Sequence, residues 1–441
     1  MNQKGPEADR LAVDDTYKYW KKWGPYLAER QWGTVREDYS EYGNAWEFID
    51  HEKARSNAYR WGEEGIAGFC DAREILCLAP AFWNGKDTIL KERLFGLTNN
   101  QGNHGEDVKE LYFHEVSSPT HSYCKYLYKY PHNAFPYGDL VNGNQRSRDE
   151  FEYELLDTGI FKDNAYFDCY IEYAKADVND ILMKVTVVNR GDKPADIHVL
   201  PHLWFRNFWK HNKRFERPTM KSIEKNAVQS RSVRNGRYYF YHEGGEQLFC
   251  ENETNNQRIY NVPNEVTYVK DGINDHVVNG KPTVNPEKTG SKLAIWYKFK
   301  LNAGEAKTVR VRLSKNKVAN PWEQFDAVFY QRMAECDDFY NQTLKPNLPE
   351  AHKHIAKSAF SGLLWTKQFY YNDVFKWLFG GPGEPAPSRD VSIKAATATI
   401  MPLKPNTNIL VRSTFTPDMR VASILPPMAY TRRPNAVRLA T

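Results

Sequence analysis

Between Ala165 and Leu313 the chain keeps returning to short runs of alternating polarity separated by turn residues. Ala165 to Tyr173 reads A-Y-F-D-C-Y-I-E-Y, and Ile181 to Val188 reads I-L-M-K-V-T-V-V. Leu293 to Leu301 reads L-A-I-W-Y-K-F-K-L, and Val309, Val311 and Leu313 alternate just after it. A period of two sends successive side chains to opposite faces, and β-branched and aromatic residues suit a pleated surface. Asn189 to Asp192 is a turn, with Ile197 to Pro201 returning from it. Ala303 to Glu305 is a second turn. Hairpins at this density imply two packed antiparallel sheets and not a parallel α/β sheet. The fold class expected is mainly β, an antiparallel sandwich over about residues 15–320. Within it, the polar stretch from Asn252 to Gly290 reads as long loops.

After Asn320 the pattern changes. Pro321 fits the first turn of a helix running to about Leu344. A second helix is expected from Pro349 to about Leu378, with Ile355, Ala359, Leu363 and Tyr370 at helical spacing. Near the start, Tyr17 to Arg30 reads as a short helix interrupted at Gly24-Pro25. Gly380 to Pro387 breaks all regularity. The residues from Val391 onward carry seven basic groups against one acidic, six prolines and only two aromatics. That stretch reads as a disordered basic tail, with a foreign or out-of-frame origin as the alternative. The boundaries expected are 1–14 flexible, 15–320 sandwich, 321–380 helical and 381–441 tail.

Composition excludes several classes. The net charge of +5 belongs to the tail, because residues 1–390 hold 53 basic and 54 acidic side chains. A nucleic-acid partner needs a basic face on a folded domain, and none is expected. No apolar run approaches the ~20 residues of a membrane span, and Met1 to Arg10 lacks the apolar core of a secretory signal. No membrane partner and a cytoplasmic location are therefore expected. Aromatics at 14% supply ample burial. The six cysteines form no C-x-x-C pair and read as buried thiols. No cofactor and no metal are expected; no D-x-D-x-D-G calcium loop occurs.

The most unusual stretch is Leu90 to Phe113, L-K-E-R-L-F-G-L-T-N-N-Q-G-N-H-G-E-D-V-K-E-L-Y-F. Asn103, His104, Glu106, Asp107 and Lys109 crowd a glycine-flexed loop, and Arg93 precedes it. Such side chains donate to and accept from sugar hydroxyls, and neighbouring aromatics stack on pyranose faces. These six residues are the candidate substrate-binding set. A long loop whose polar groups satisfy their own backbone is the competing reading. Two further sets mix Trp, Arg and carboxylates, Trp32 to Tyr39 and Tyr59 to Gly65. Buried salt bridges under aromatic lids would look the same. In Leu200 to Asn207, His202 and Arg206 could face solvent, ligand or core.

These stretches together resemble a known family. K-W-G-P-Y-L-A-E-R-Q-W-G-T-V-R-E-D-Y-S (Lys22 to Ser40) is similar to the amino-terminal part of glycoside hydrolase family 63, the mannosyl-oligosaccharide glucosidase-like proteins. A-Y-R-W-G-E-E-G-I-A-G, L-K-E-R-L-F-G-L-T-N, G-N-H-G-E-D-V-K-E, Leu200 to Asn207 and L-L-W-T-K-Q-F-Y-Y-N-D-V follow in the same order. The resemblance runs over roughly residues 15–390. It implies a β super-sandwich joined by linker helices to an (α/α)6 barrel, and inverting hydrolysis of α-glucosidic bonds in oligosaccharides. Inversion needs an acid and a base about 6.5–9.5 Å apart. The family carries both in the barrel, beyond the matching residues, so no catalytic residue is assigned here. The chain is expected to be a truncated glucosidase without the (α/α)6 catalytic barrel and inactive alone.

Two alternatives come from the same residues: a non-catalytic carbohydrate-binding or docking sandwich, and a mutarotase-like sandwich using carboxylate and His. The partner expected is an oligosaccharide. Self-association is expected through the apolar face of the second helix.

Overall fold

The computed structural model describes residues 4–13, 19–28, 51–59, 62, 64–97, 107–147, 149–210, 215–367, 369–371 and 412–414. Its first unit covers Met1–Thr366 and its second Lys367–Thr441. In the first unit the early strands are β1 (Trp23–Pro25), β2 (Phe69–Asp71), β3 (Leu76–Trp83), β4 (Gly96–Leu97), β5 (Asp107–Val108), β6 (Leu111–Ser117) and β7 (Tyr123–Pro131). The central ones are β8 (Tyr166–Asp177), β9 (Asp180–Asn189), β10 (Ala195–Phe205), β11 (Thr219–Glu224), β12 (Ala227–Ser232) and β13 (Gly236–His242). Then come β14 (Glu246–Cys250), β15 (Thr289–Gly290), β16 (Lys292–Leu301) and β17 (Ala306–Ser314). Besides a single helical turn at His51–Ala54, the helices are α1 (Pro6–Ala12), α2 (Tyr137–Gly143), α3 (Asn256–Tyr260), α4 (Gly272–Asn279), α5 (Phe325–Thr343) and α6 (Glu350–Leu364).

The protein is mainly β. One sheet has six strands in the order β1-β2-β3-β10-β16-β14, and the other has nine, β15-β11-β12-β13-β17-β9-β8-β7-β6. The pairings within both are antiparallel. The core lies between them. Phe69, Leu78, Leu203, Leu293 and Ile295 of the smaller sheet meet Tyr126, Ile171, Met183, Val185, Val311 and Leu313 of the larger. Fully burying one such side chain contributes about 1.5–3 kcal/mol. The alternation read in β9 is this geometry: Ile181, Met183, Val185 and Val187 all point inward. No described helix is long and apolar enough to cross a membrane. All six cysteines are buried free thiols.

The strands expected to be hairpin partners pair differently. β9 lies in the nine-stranded sheet and β10 in the six-stranded one. β16 and β17 divide the same way. Both turns therefore cross from one sheet to the other. Asn189 pins them together: its amide donates to Lys193 O at 2.8 Å and to Leu301 O at 3.0 Å, while Gly304 N donates to Asn189 O at 3.0 Å. Alternation states which face a strand buries, not which neighbour it bonds, and both arrangements satisfy the same pattern.

Three further expectations are corrected. Tyr17 to Arg30 is not a helix in its described part: Trp20–Lys22 is a single 3-10 turn that leads into β1. Gly24 pairs with Cys70 there, and a Cβ on it would stand 2.5 Å from His121 Cδ2. Of the expected flexible residues 1–14, residues 4–13 are described, and they contain α1, which is tied down. Glu7 is buried and accepts from Thr120 N at 2.6 Å, Thr120 Oγ1 at 2.7 Å and Ser122 Oγ at 2.8 Å. Arg10 bridges Glu7 to Glu335 of α5. The second helix stops at Leu364, not near Leu378. Thr366 Oγ1 caps Leu363 O at 2.7 Å, and Trp365 turns inward to donate to Ser117 Oγ at 2.8 Å.

α5 lays Phe325, Phe329, Cys336 and Tyr340 over Tyr123, Ala174 and Leu182, on the outer face of the larger sheet. α6 packs beside it through Ser361, whose Oγ lies 2.8 Å from Ser117 Oγ. The row Ile355, Ala359 and Leu363 faces water; Ile355 is 63% exposed. In the second unit, β18 (Phe369–Tyr371) pairs antiparallel with β19 (Arg412–Thr414). Those three residues of β19 are the described part of the expected 381–441 tail, and they form a strand.

Candidate functional site

β10 buries both of its faces. Val199 and Leu203 enter the inter-sheet core, while Leu200, His202 and Trp204 point to the outer side of the six-stranded sheet. That outer side is roofed by loops and by α4, which lies in the stretch expected to be long loops, and so V-L-P-H-L-W-F reads as a nearly continuous apolar run. Leu90, Ile273 and Val277 supply apolar cover.

A buried charge cluster lies beneath this roof. Glu92 Oε2 is 2.6 Å from Lys292 Nζ and 3.6 Å from His202 Nδ1. Lys270 is paired with Glu64 and donates to Asn57 O at 2.5 Å, with its ammonium 4.7 Å from the Tyr59 ring centre. Glu64, Glu92, His202, Lys270 and Lys292 are all buried. Burial alone would raise the Glu92 carboxyl, but Lys292, then Lys270, hold it down at about 2. Burial works against the Lys292 ammonium too, and Glu92 keeps it above its usual range. Burial, helped by Lys292, drives His202 down to about 3, so its ring is neutral. Lys270 is lowered by burial against the pull of Glu64.

A narrow crevice without room for a water molecule adjoins the Glu64 end, lined by Tyr26, Tyr59, Glu64, Glu74, Trp204 and Arg206. Its far wall is the β2–β3 turn. Asp71 accepts from Arg73, Ile75 and Leu76 amides at 2.8–2.9 Å, and Arg206 Nε donates to Glu74 O at 2.7 Å. Glu74 takes a left-handed φ of 50°. Tyr26 Oη donates to Glu64 O at 2.5 Å. A crevice that does not admit a water molecule is no small-molecule pocket. Chemically, Glu64 and Glu92 each hold a lysine, and a carboxyl held at about 2 has no proton to deliver at neutral pH. The cluster holds its charges in a fixed arrangement, and Glu92 is no general acid.

The residues expected to bind substrate fall in several places. Asn103, His104 and Glu106 lie outside the described residues. The Asp107 backbone is in β5, which pairs antiparallel with β4 as a short hairpin, Asp107 opposite Leu97. The Lys109 side chain is buried, its ammonium 3.0 Å from both Glu152 and Glu154. That is a structural tie at the base of the hairpin, where Lys109 N also donates to Phe95 O. Arg93 donates to Tyr59 Oη at 3.1 Å and so backs the crevice wall. Glu64 pairs with Lys270 beside the Tyr59 ring, which is the buried salt bridge under an aromatic lid that the Tyr59 to Gly65 context allowed.

Glu92, Lys270 and Lys292 were not singled out from the sequence. The one signal available was His202, a polar residue at the outward phase of an otherwise apolar strand. Such a position implies a polar partner under the roof. The partners come from far along the chain, and spacing does not reveal them.

No family model matches the chain. The uncharacterized protein YMR196W of Saccharomyces cerevisiae is 38% identical over 437 aligned positions, covering 87% of this chain and 40% of the yeast protein. The chain thus spans about 40% of that relative's length. Among solved structures, a polysaccharide lyase matches 58% of this chain and 27% of its own at 11% identity and a TM-score of 0.25. A putative kojibiose phosphorylase from the human microbiome matches 73% of this chain and 37% of its own at 9% identity and a TM-score of 0.24. Scores this low leave substrate and chemistry to be argued from the residues themselves.

Proposed function

We propose that this chain is the β-sandwich portion of an oligosaccharide-acting protein of glycoside hydrolase family 63 type, and that the sandwich binds and scaffolds without supplying the acid or the base. The observation that carries the second half is the charge cluster: Glu92 and Glu64 are each neutralised by a buried lysine. The collinear motifs, and a sandwich followed by α5 and α6, support the first half. The mutarotase-like alternative gains no specific observation. The His202–Glu92 contact is roofed over and bracketed by Lys292.

The test uses α-linked gluco-oligosaccharides with this chain and with the full-length yeast relative, read by proton NMR of the released sugar. The yeast protein is expected to release the β-anomer, and this chain to release nothing. Hydrolysis by the 441-residue chain would overturn the scaffold role. Retention of configuration, or no cleavage by the yeast protein across the set, would overturn the family reading. Anomer interconversion without cleavage would point to the mutarotase-like alternative.

Self-association belongs to the same proposal. The row Ile355, Ala359 and Leu363 is expected to bring copies together, and Ile355→Lys with Leu363→Lys to lower the mass seen by light scattering. An unchanged mass would remove that row from the account.

A further inference from the structure

The opposite end of the six-stranded sheet's outer face carries a second group of side chains that the charge cluster does not use. Trp83, His198 and Lys298 stand directly opposite one another on β3, β10 and β16. One pleat away on the same face, Trp296 stands opposite Glu246 of β14. His276 of α4 reaches the same place, its ring centre 5.8 Å from that of Trp296. Unlike the buried cluster, this group meets water: Lys298 and Glu246 are exposed, and both Trp rings and both His rings are half-buried.

We propose that this aromatic platform is a binding site for a gluco-configured pyranose unit of an oligosaccharide, stacked on Trp296. A pyranose with equatorial hydroxyls has an apolar C–H face and a rim that both donates and accepts. Both halves of that chemistry are present. Lys298 Nζ lies 3.4 Å from the Trp296 ring centre, so an exposed, flexible ammonium occupies the face a sugar would take and can swing aside to reach a hydroxyl. Trp296 Nε1 only donates, and it lies 3.0 Å from His198 Nδ1. The His198 proton is therefore on Nε2, which becomes a donor toward the rim. His198 is held neutral, because burial and then Lys298 lower it to about 4. His276 does the reverse. Its Nδ1 faces Lys281 O at 2.8 Å and donates to it, which turns Nε2 away from that carbonyl. Glu246 adds a carboxylate and has no ion-pair partner among the described residues. Nearly isolated charges of both signs around a Trp face suit a neutral polyol better than an ion.

The site is argued from its own side chains and stands whether or not the glycosidase reading holds. The experiment is saturation-transfer NMR of the full chain with maltotriose, cellotriose and galactobiose. Maltotriose and cellotriose are expected to bind with Kd of order ~1 mM and to show the strongest transfer on their axial C–H protons. Galactobiose, with its axial hydroxyl, is expected to bind more weakly. Trp296→Ala should weaken binding about ten-fold or more, and Trp296→Phe should keep most of it. Lys298→Met, an exposed change that leaves folding intact, should change affinity by less than Trp296→Ala. Equal binding by wild type and Trp296→Ala would overturn the proposal, as would no binding by the wild type. Hydrolysis by the full-length yeast relative is read separately, so loss of either result does not imply loss of the other.

Discussion

Lowering the pH from 7 to 5 is expected to cost this protein about 3–4 kcal/mol of folding stability. Two enclosed histidines are responsible. Burial lowers His114 to about 4 and His202 to about 3, against an ordinary value of 6.5. In the unfolded chain both take up a proton near pH 6.5; in the fold they do so only at much lower pH. Their contribution is complete above about 6.5 and is lost as the pH falls toward 4 and then 3. The slope is about 2.7 kcal/mol per pH unit for two such groups. His132, His198 and His242 are lowered as well and act in the same direction. Below pH 4.5 Glu92, held at about 2, adds a further loss. His114 sits among Tyr112, Tyr126 and Trp365, and its Nε2 has no hydrogen-bond partner. A charge placed there would meet only ring edges and faces. Urea denaturation at pH 7, 6 and 5 measures the effect, and His202→Gln should remove about 2 kcal/mol of it. A flat profile from 7 to 5 would mean that these rings open to water before the sandwich melts.

Lys292→Met is expected to destabilise the fold by about 3–5 kcal/mol, because it strands a carboxylate that is only 8% exposed. Glu92→Leu in the wild type strands Lys292 in the same way. The double variant Lys292→Met with Glu92→Leu should recover most of the loss, since two apolar side chains then fill a site already bordered by Leu90 and Ala294. The same substitution reads the coupling directly. With Lys292 gone, the charge that holds His202 down is removed while Glu92 remains, so the His202 titration should move upward from about 3. Chemical denaturation gives the first quantity and the His202 ring shifts in NMR give the second. A Lys292→Met variant within 1 kcal/mol of the wild type, about the size of an exposed pair, would show that water reaches the cluster.

Much of the architecture is legible along the chain. The inward set of β9 and the inward set of β17 are their period-two patterns, and α5 begins close to where Pro321 and the change of period place it. Strand partners are less legible. Asn189 and Gly304 look like the turns of two hairpins, and they are instead two crossings of one sandwich edge, held to each other. For the site the balance is reversed. Arg93 and Lys109 sit in the stretch that composition marks, yet one backs a crevice wall and the other ties down a hairpin base. The platform at Trp296 has no local signature, because its five neighbours come from four strands and a helix.

The sequence by itself determined which side chains would leave water. Alternation, aromatic content and turn chemistry are local properties, and they specify two antiparallel sheets and the helices that follow them. Only the tertiary structure decided which buried groups meet. Glu92 and Lys292 are separated by two hundred residues and are brought together because β10 lies between β16, which carries Lys292, and β3, to whose Phe82 the neighbouring Lys91 bridges. Electrostatic and hydrogen-bond energies depend on distance in space and on the water excluded around a group. Neither quantity is written in the order of residues along a chain.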